Sequence, residues 1–131
     1  MSKASCEKEV LSHTQPVILV VDDEEMLRDL FVRLLRQEGY SVLSARDGQA
    51  GLQISRSYEG KIDLLFTDEE MPRLRGSELY AHLRLERPGI KAVFLTGDPG
   101  KIKEKGLPIL HKPCDWPTVR KAIRTLLVAS T

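Results

Sequence analysis

Long hydrophobic runs are missing from this sequence. No apolar stretch approaches the roughly 18 residues that a membrane-spanning helix needs, and the opening Met-Ser-Lys-Ala-Ser-Cys-Glu-Lys-Glu-Val lacks the apolar centre of a secretion signal. Cysteine is scarce as well. Cys6 and Cys114 are the only two, which make neither a Cys-x-x-Cys motif nor a disulfide framework, so a reduced, cytoplasmic setting is the expectation. Charge of one sign is not in excess: 20 Lys and Arg against 19 Asp and Glu leave a net charge of +1. Nothing in that balance points to nucleic acid as a partner of this chain or to an acidic tail. Internal repeats and low-complexity segments are absent too, which excludes repeat architectures. What remains is a chain of 131 residues, 41% hydrophobic and 30% charged, the size and balance of one globular domain with one core.

Residues 1–15 are polar and patternless, and are expected to form a tail or linker ahead of a domain at 16–131. From Val17 the pattern sharpens. Val17-Ile-Leu-Val-Val21 is an unbroken β-branched run, as in a strand covered on both faces. It ends at Asp22-Asp23. Leu27, Leu30, Phe31, Leu34 and Leu35 then recur at helical spacing up to Gly39. Residues 41–45 form a second short strand, and Asp47-Gly48 opens a helix carrying Ala50, Leu52 and Ile54. A third strand is predicted at 62–67 with Asp68 at its exit, followed by a Pro- and Gly-bearing loop at 71–76 and a helix at 77–86. Strands at 91–96 and 108–111 follow. Asp115 and Pro117 suit the start of a last helix whose stripe is Val119, Ala122, Ile123, Leu126 and Leu127. Strands alternating with helices imply an α/β domain, a parallel sheet covered on both faces. The expected fold is a doubly wound, five-stranded parallel sheet of order 2-1-3-4-5, flavodoxin-like.

In such sheets ligands bind beyond the carboxyl ends of the strands. The predicted strands deliver Asp22 and Asp23, then Asp68, then Thr96, then Lys112 to that edge. Each has an ordinary reading alone: a helix cap, a turn residue, a satisfied strand hydroxyl, a solvated strand-end cation. Those readings together do not account for all of them arriving at four strand exits. Carboxylates crowded into one crevice repel and raise one another's pKa. A hard divalent cation removes that problem, and Mg²⁺ needs only one or two carboxylates because it keeps several waters. A Mg²⁺ site beside a lysine and a threonine suits a phosphoryl group, whose transfer demands mainly positioning and charge neutralisation. A carboxylate can serve as the nucleophile.

The stretches Val-Ile-Leu-Val-Val-Asp-Asp-Glu (17–24), Asp-Leu-Leu-Phe-Thr-Asp-Glu-Glu-Met-Pro-Arg-Leu-Arg-Gly (63–76), Phe-Leu-Thr-Gly (94–97) and Lys-Pro (112–113) resemble the receiver domains of two-component response regulators. The likeness runs over roughly 17–129. It implies that Asp68 is the phospho-acceptor, that Asp23 ligates Mg²⁺ (or Mn²⁺) directly, and that Asp22 acts through a metal-bound water. It further implies that Glu70 offers its backbone carbonyl to the metal, that Thr96 is a hydroxyl that moves onto the phosphoryl group, and that Lys112 pairs with Asp68. Pro113 is expected to follow a cis peptide bond. The implied partner is a histidine kinase or a histidine phosphotransfer protein, and the implied role is a switch rather than an enzyme with substrate turnover. Neither the oligomeric state nor the choice between a stand-alone regulator and a hybrid-kinase receiver is implied.

Three departures from that pattern stand out. Ile109 occupies the place of the usual switch aromatic, Cys114 stands where Phe is common, and the stretch from Thr96 to Lys112 is short. The fourth helix is therefore expected to be short or missing, as in some hybrid-kinase receivers, and the loop 97–107 is expected to be mobile before phosphorylation. Two other functions compete. A Mg²⁺-dependent phosphohydrolase with an aspartyl nucleophile would use Glu70 as its second carboxylate, but it lacks a cap insertion. A flavodoxin-like cofactor binder would have to place a phosphate beside Asp22-Asp23. Gly97-Asp-Pro-Gly-Lys101 lacks the spacing of a phosphate-binding loop. His82 and His111 have no second partner at ligand spacing, and Cys114 beside Trp116 reads as packing.

Overall fold

A computed structural model describes residues 15–103 and 106–129. All but the last residue of the expected tail, part of the 97–107 loop and Cys6 lie outside the described residues. Five parallel strands, β1 (Val17–Val21), β2 (Ser41–Ala45), β3 (Leu64–Asp68), β4 (Lys91–Thr96) and β5 (Ile109–His111), form one sheet of order β2-β1-β3-β4-β5, the order expected from the sequence. Four α-helices pack on it: α1 (Glu25–Gln37), α2 (Gly48–Ser57), α3 (Gly76–Glu86) and α4 (Trp116–Ala129).

Every side chain of β1 is buried, because alternate residues feed two separate cores. Val17, Leu19 and Val21 join Leu65, Leu79, Leu83 and Phe94 beneath α2 and α3. Ile18 and Val20 join Phe31, Leu35, Phe66, Val119 and Ile123 beneath α1 and α4. Phe31 and Phe66 meet edge to face at 4.9 Å in the second core, and Tyr80 and Phe94 do so at 5.9 Å in the first.

Local chemistry sets the helix boundaries. Asp47 Oδ1 accepts from the Ala50 amide at 2.8 Å and starts α2. The last carbonyls of α2 are tied by Arg87, whose guanidinium donates to the Ser55 and Tyr58 carbonyls, to Gly60 O and to the Ser55 hydroxyl. Gly39, at φ +99°, lets the chain turn out of α1.

Two expected boundaries move. The third strand is Leu64–Asp68 rather than 62–67, and Asp63, just before it, accepts the Val17 amide on its side chain at 2.8 Å. The fifth strand begins at Ile109, after Pro108, which has no amide to donate. Among the described residues between β4 and β5, the crossover helix is reduced to one 3₁₀ turn, Pro99–Lys101. Its share of the core falls to Ile102, with Leu107 and Ile109 packed beside it.

Candidate functional site

Parallel strands in register end together, so the sheet delivers its exits to one edge. Val21 pairs with Thr67 and Ala45, Asp68 with Leu95, and Thr96 with His111. One residue past β1, Asp22 is 4% exposed and its Oδ1 accepts from the Glu24 amide at 2.8 Å. Asp23 is exposed. One carboxylate oxygen each from Asp22, Asp23 and Asp68 lies within 4.8 Å of the others. Lys112 reaches in from the far edge, its Nζ 2.7 Å from Asp68 Oδ1 and 3.9 Å from Glu70 Oε1. The peptide bond after it, to Pro113, is cis. The Lys112 amide donates to Thr96 O at 2.8 Å, which carries the β4–β5 ladder into the site.

Electrostatics follow from four carboxylates facing one ammonium. Burial, and less strongly the Asp68 charge, push Asp22 up to about 6, against the pull of the Glu24 amide. Burial also raises Asp68, and the Lys112 ammonium does not fully offset it. Burial pulls Lys112 down, yet Asp68, Asp22 and Glu70 together hold it above its ordinary value.

The pocket is thus short of positive charge. Asp68 Oδ1 is buried and has no aligned hydrogen bond, only the ionic contact with Lys112. An oxygen in that state beside two further carboxylates fits a hard divalent cation.

Glu69 and Glu70 are adjacent and chemically identical, yet they take opposite roles. Glu69 is 2% exposed. Its Oε1 accepts from the Ser77 amide at 2.7 Å and its Oε2 from the Ser77 hydroxyl at 2.8 Å, so it caps the first turn of α3. Burial nonetheless raises its pKa. Glu70 turns toward β4: its carboxylate accepts from the Thr96 hydroxyl and, at 3.0 Å, from the Gly97 amide. Burial opposes this, but those two donors and Lys112 hold Glu70 below its usual range.

Gly76 closes the loop. A Cβ there would lie 2.4 Å from the Asp68 carbonyl oxygen, so only glycine lets α3 start this close to the end of β3. Sequence reasoning missed Glu69 and Gly76 as positioning residues, and gave Glu70 a backbone ligand role or, in the competing phosphohydrolase reading, an acid role, but not the contact with Thr96 and Gly97. The Gly-Ser pair at a helix start was the one available signal. His82 and Cys114 stand apart from this cluster: Cys114 packs on the second core with its thiol pKa raised by burial. His111 Nε2 lies 3.1 Å from Gly97 O.

This combination of fold and acidic crevice defines a phospho-accepting signalling module. The family model described as the response regulator receiver domain matches residues 18–124, and the chain belongs to that family. It is 33% identical over 116 residues to the sensor kinase CckA of Brucella abortus (strain 2308), covering 84% of this chain and 12% of that protein. It is 32% identical over 126 residues to the transcriptional regulatory protein GlrR of Escherichia coli (strain K12), covering 92% and 28%. The chain therefore spans a small part of these relatives.

Among solved structures, the receiver domain of the hybrid histidine kinase CckA superposes with a TM-score of 0.74 at 36% identity, covering 85% of this chain and 98% of that one. The response regulator TrrA of Thermotoga maritima, in complex with Mg²⁺-BeF, gives 0.74 at 28%, covering 86% and 99%. No described helix is long and apolar enough to cross a membrane.

Proposed function

We propose that this receiver domain takes a phosphoryl group onto Asp68 from a phosphohistidine, carried by a histidine kinase or a phosphotransfer protein, in a Mg²⁺-dependent reaction. The observation that carries the reading is the contact of Lys112 Nζ with Asp68 Oδ1 at 2.7 Å inside a cluster that also holds Asp22 and Asp23. Asp22, Asp23, Asp68 and the Glu70 carbonyl would hold the cation, Mg²⁺ or alternatively Mn²⁺. When bound, it supplies the positive charge that neutralises the carboxylates and the incoming phosphoryl oxygens.

The chain's own groups do the rest. An Asp68 carboxylate oxygen attacks phosphorus in line with the phosphohistidine nitrogen. The O–P bond forms as the P–N bond breaks, and the electron pair returns to the imidazole, which leaves as a neutral ring after protonation from solvent. Lys112 holds Asp68 in place before transfer and takes a phosphoryl oxygen after it. Thr96 supplies a hydroxyl donor to a second oxygen.

Beside the site, Leu27, Phe31, Leu95, Pro113 and Cys114 line an apolar groove that also includes Lys112, and Met26 on the same helix as Leu27 is 82% exposed. That surface suits docking of the donor protein. The chain acts as a switch and does not turn over a conventional substrate. Glu70, the carboxylate a phosphohydrolase would need as its acid, is held by Thr96 and Gly97.

Acetyl phosphate with Mg²⁺ should add one phosphoryl group, read by intact mass. Asp68→Asn should abolish it while keeping the fold, and EDTA should suppress it. Phosphorylation of the Asn variant, or a rate indifferent to EDTA, would overturn the assignment.

A further inference from the structure

The groups that would receive the phosphoryl oxygens are already engaged. The Thr96 hydroxyl donates to Glu70 Oε2, and the Asp98 amide donates to that hydroxyl at 3.0 Å, which leaves its proton aimed at Glu70. The Gly97 amide donates to Glu70 Oε1 at 3.0 Å. Lys112 Nζ is shared between Asp68 Oδ1 at 2.7 Å and Glu70 Oε1 at 3.9 Å. An anion covalently attached to Asp68 and touching Lys112 and Thr96 would occupy the space that the Glu70 carboxylate now fills. Thr96 is fully buried, and its hydroxyl is held by Glu70.

We infer that the Glu70 carboxylate is a resident stand-in for the phosphoryl oxygens, seated on Thr96, Gly97 and Lys112, and that it must swing out before Asp68 is phosphorylated. The inference rests on the proposed acceptor role of Asp68. Its consequence is a gate that slows phosphorylation, and an Asp98–Thr96–Gly97 turn held in its engaged form beforehand. The Glu70 side chain is 41% exposed, so leaving opens no cavity and costs only a set of half-solvated, charge-assisted contacts. A gate of that kind slows the reaction several-fold and does not block it.

The test measures phosphorylation rates with acetyl phosphate at saturating Mg²⁺ together with the Gly97 amide proton shift. Glu70→Ala and Glu70→Asp should both react roughly three- to tenfold faster than the wild type. Aspartate keeps the charge but is one methylene too short to span to Thr96 and Gly97. Glu70→Gln, whose amide oxygen still accepts both donors, should gain less. The Gly97 amide proton should move upfield in the Ala and Asp variants and return downfield when beryllofluoride is added. An aspartate variant that matches the wild type while alanine is fast would show that only nearby charge matters, and would overturn the inference. So would an unmoved Gly97 resonance in all three variants. Normal phosphorylation at Asp68 with equal rates throughout would overturn the gate alone, whereas no phosphorylation of any form would overturn the acceptor role and the gate together.

Discussion

Two connections leave the sheet side by side at the site, and they are built on opposite plans. The one after β3, residues 69–75, is anchored at every step. Glu69 is buried against Ser77, the Gly76 amide donates to Glu69 O at 3.2 Å, and Leu74 lies on Gly48. Arg73, at φ +70°, is held to Asp47 at 3.3 Å, and Glu78 takes the Arg75 amide at 2.9 Å. The one after β4, residues 97–108, has a single 3₁₀ turn and one buried apolar residue, Ile102, among those described. The anchored loop fixes the end of β3 at Asp68, the proposed acceptor, and the lean one begins at Gly97 beside Thr96, both of which should change partners if a phosphoryl group arrives. A switch needs this asymmetry, because a conformational response is drawn from the elements with least packing to lose.

Glycine substitution breaks the comparison most sharply. Gly76→Ala places a Cβ 2.4 Å from the Asp68 carbonyl oxygen, and the backbone must move. We expect a loss of about 3 kcal/mol in denaturant unfolding. Gly97→Ala meets nothing within 4 Å and keeps its amide, so its cost should stay below about 0.5 kcal/mol. Equal losses in the two variants would remove the distinction.

The next effect is electrostatic. Asp22 has a folded pKa of about 6 against 3.8 unfolded. Between those values the folded protein holds more protons than the unfolded chain. Metal-free stability from this group should therefore fall as pH rises through that window and level off above it. The fall should be roughly 2 kcal/mol, about 1.4 per unit reduced for water in the open crevice. Asp22→Asn should flatten that part of the stability profile, and added Mg²⁺ should stabilise the wild type more at pH 7 than at pH 5. A profile unchanged by the substitution would place the burden on another group.

Smaller still is Glu69→Gln, which keeps an acceptor at the start of α3 but loses its charge. It should cost about 1 kcal/mol, read as a lower denaturant midpoint at pH 7. The finest probe is hydrogen exchange with and without beryllofluoride. Protection should rise by a few-fold in the segment after Asp98 and around 112–118, with the backbone of 69–76 unchanged. Change confined to α3 would contradict the comparison.

The fold was readable because its signals are local. A run like 17–21 cannot be covered on one face only, and helical stripes such as Val119, Ile123 and Leu127 name their own buried side. The short stretch from Thr96 to Lys112 likewise foretold a reduced fourth crossover. Asp22, Asp23, Asp68, Thr96 and Lys112 could be gathered before any coordinates because parallel strands carry their last residues to one edge, whatever the loops do.

Other features have no local signature. Glu69 and Glu70 are the same residue type one position apart, and nothing in their order says which is buried under α3 and which reaches Thr96. That choice follows from how β3 ends, with the Glu69 amide still paired to Leu95 O at 2.9 Å. Gly76 is glycine because of a carbonyl eight residues earlier, and Arg87 matters because α2 ends beside it. Sequence alone determined the alternation of strands and helices, a sheet covered on both faces and the five polar exits, since these depend on periodicity and on which residues terminate strands, while the separation into two cores is seen only in the folded sheet. Tertiary structure alone decided which carboxylate caps, which one fills the cradle on Thr96 and Gly97, and which glycine admits close approach. Those outcomes depend on distances between segments that meet only when the chain is folded.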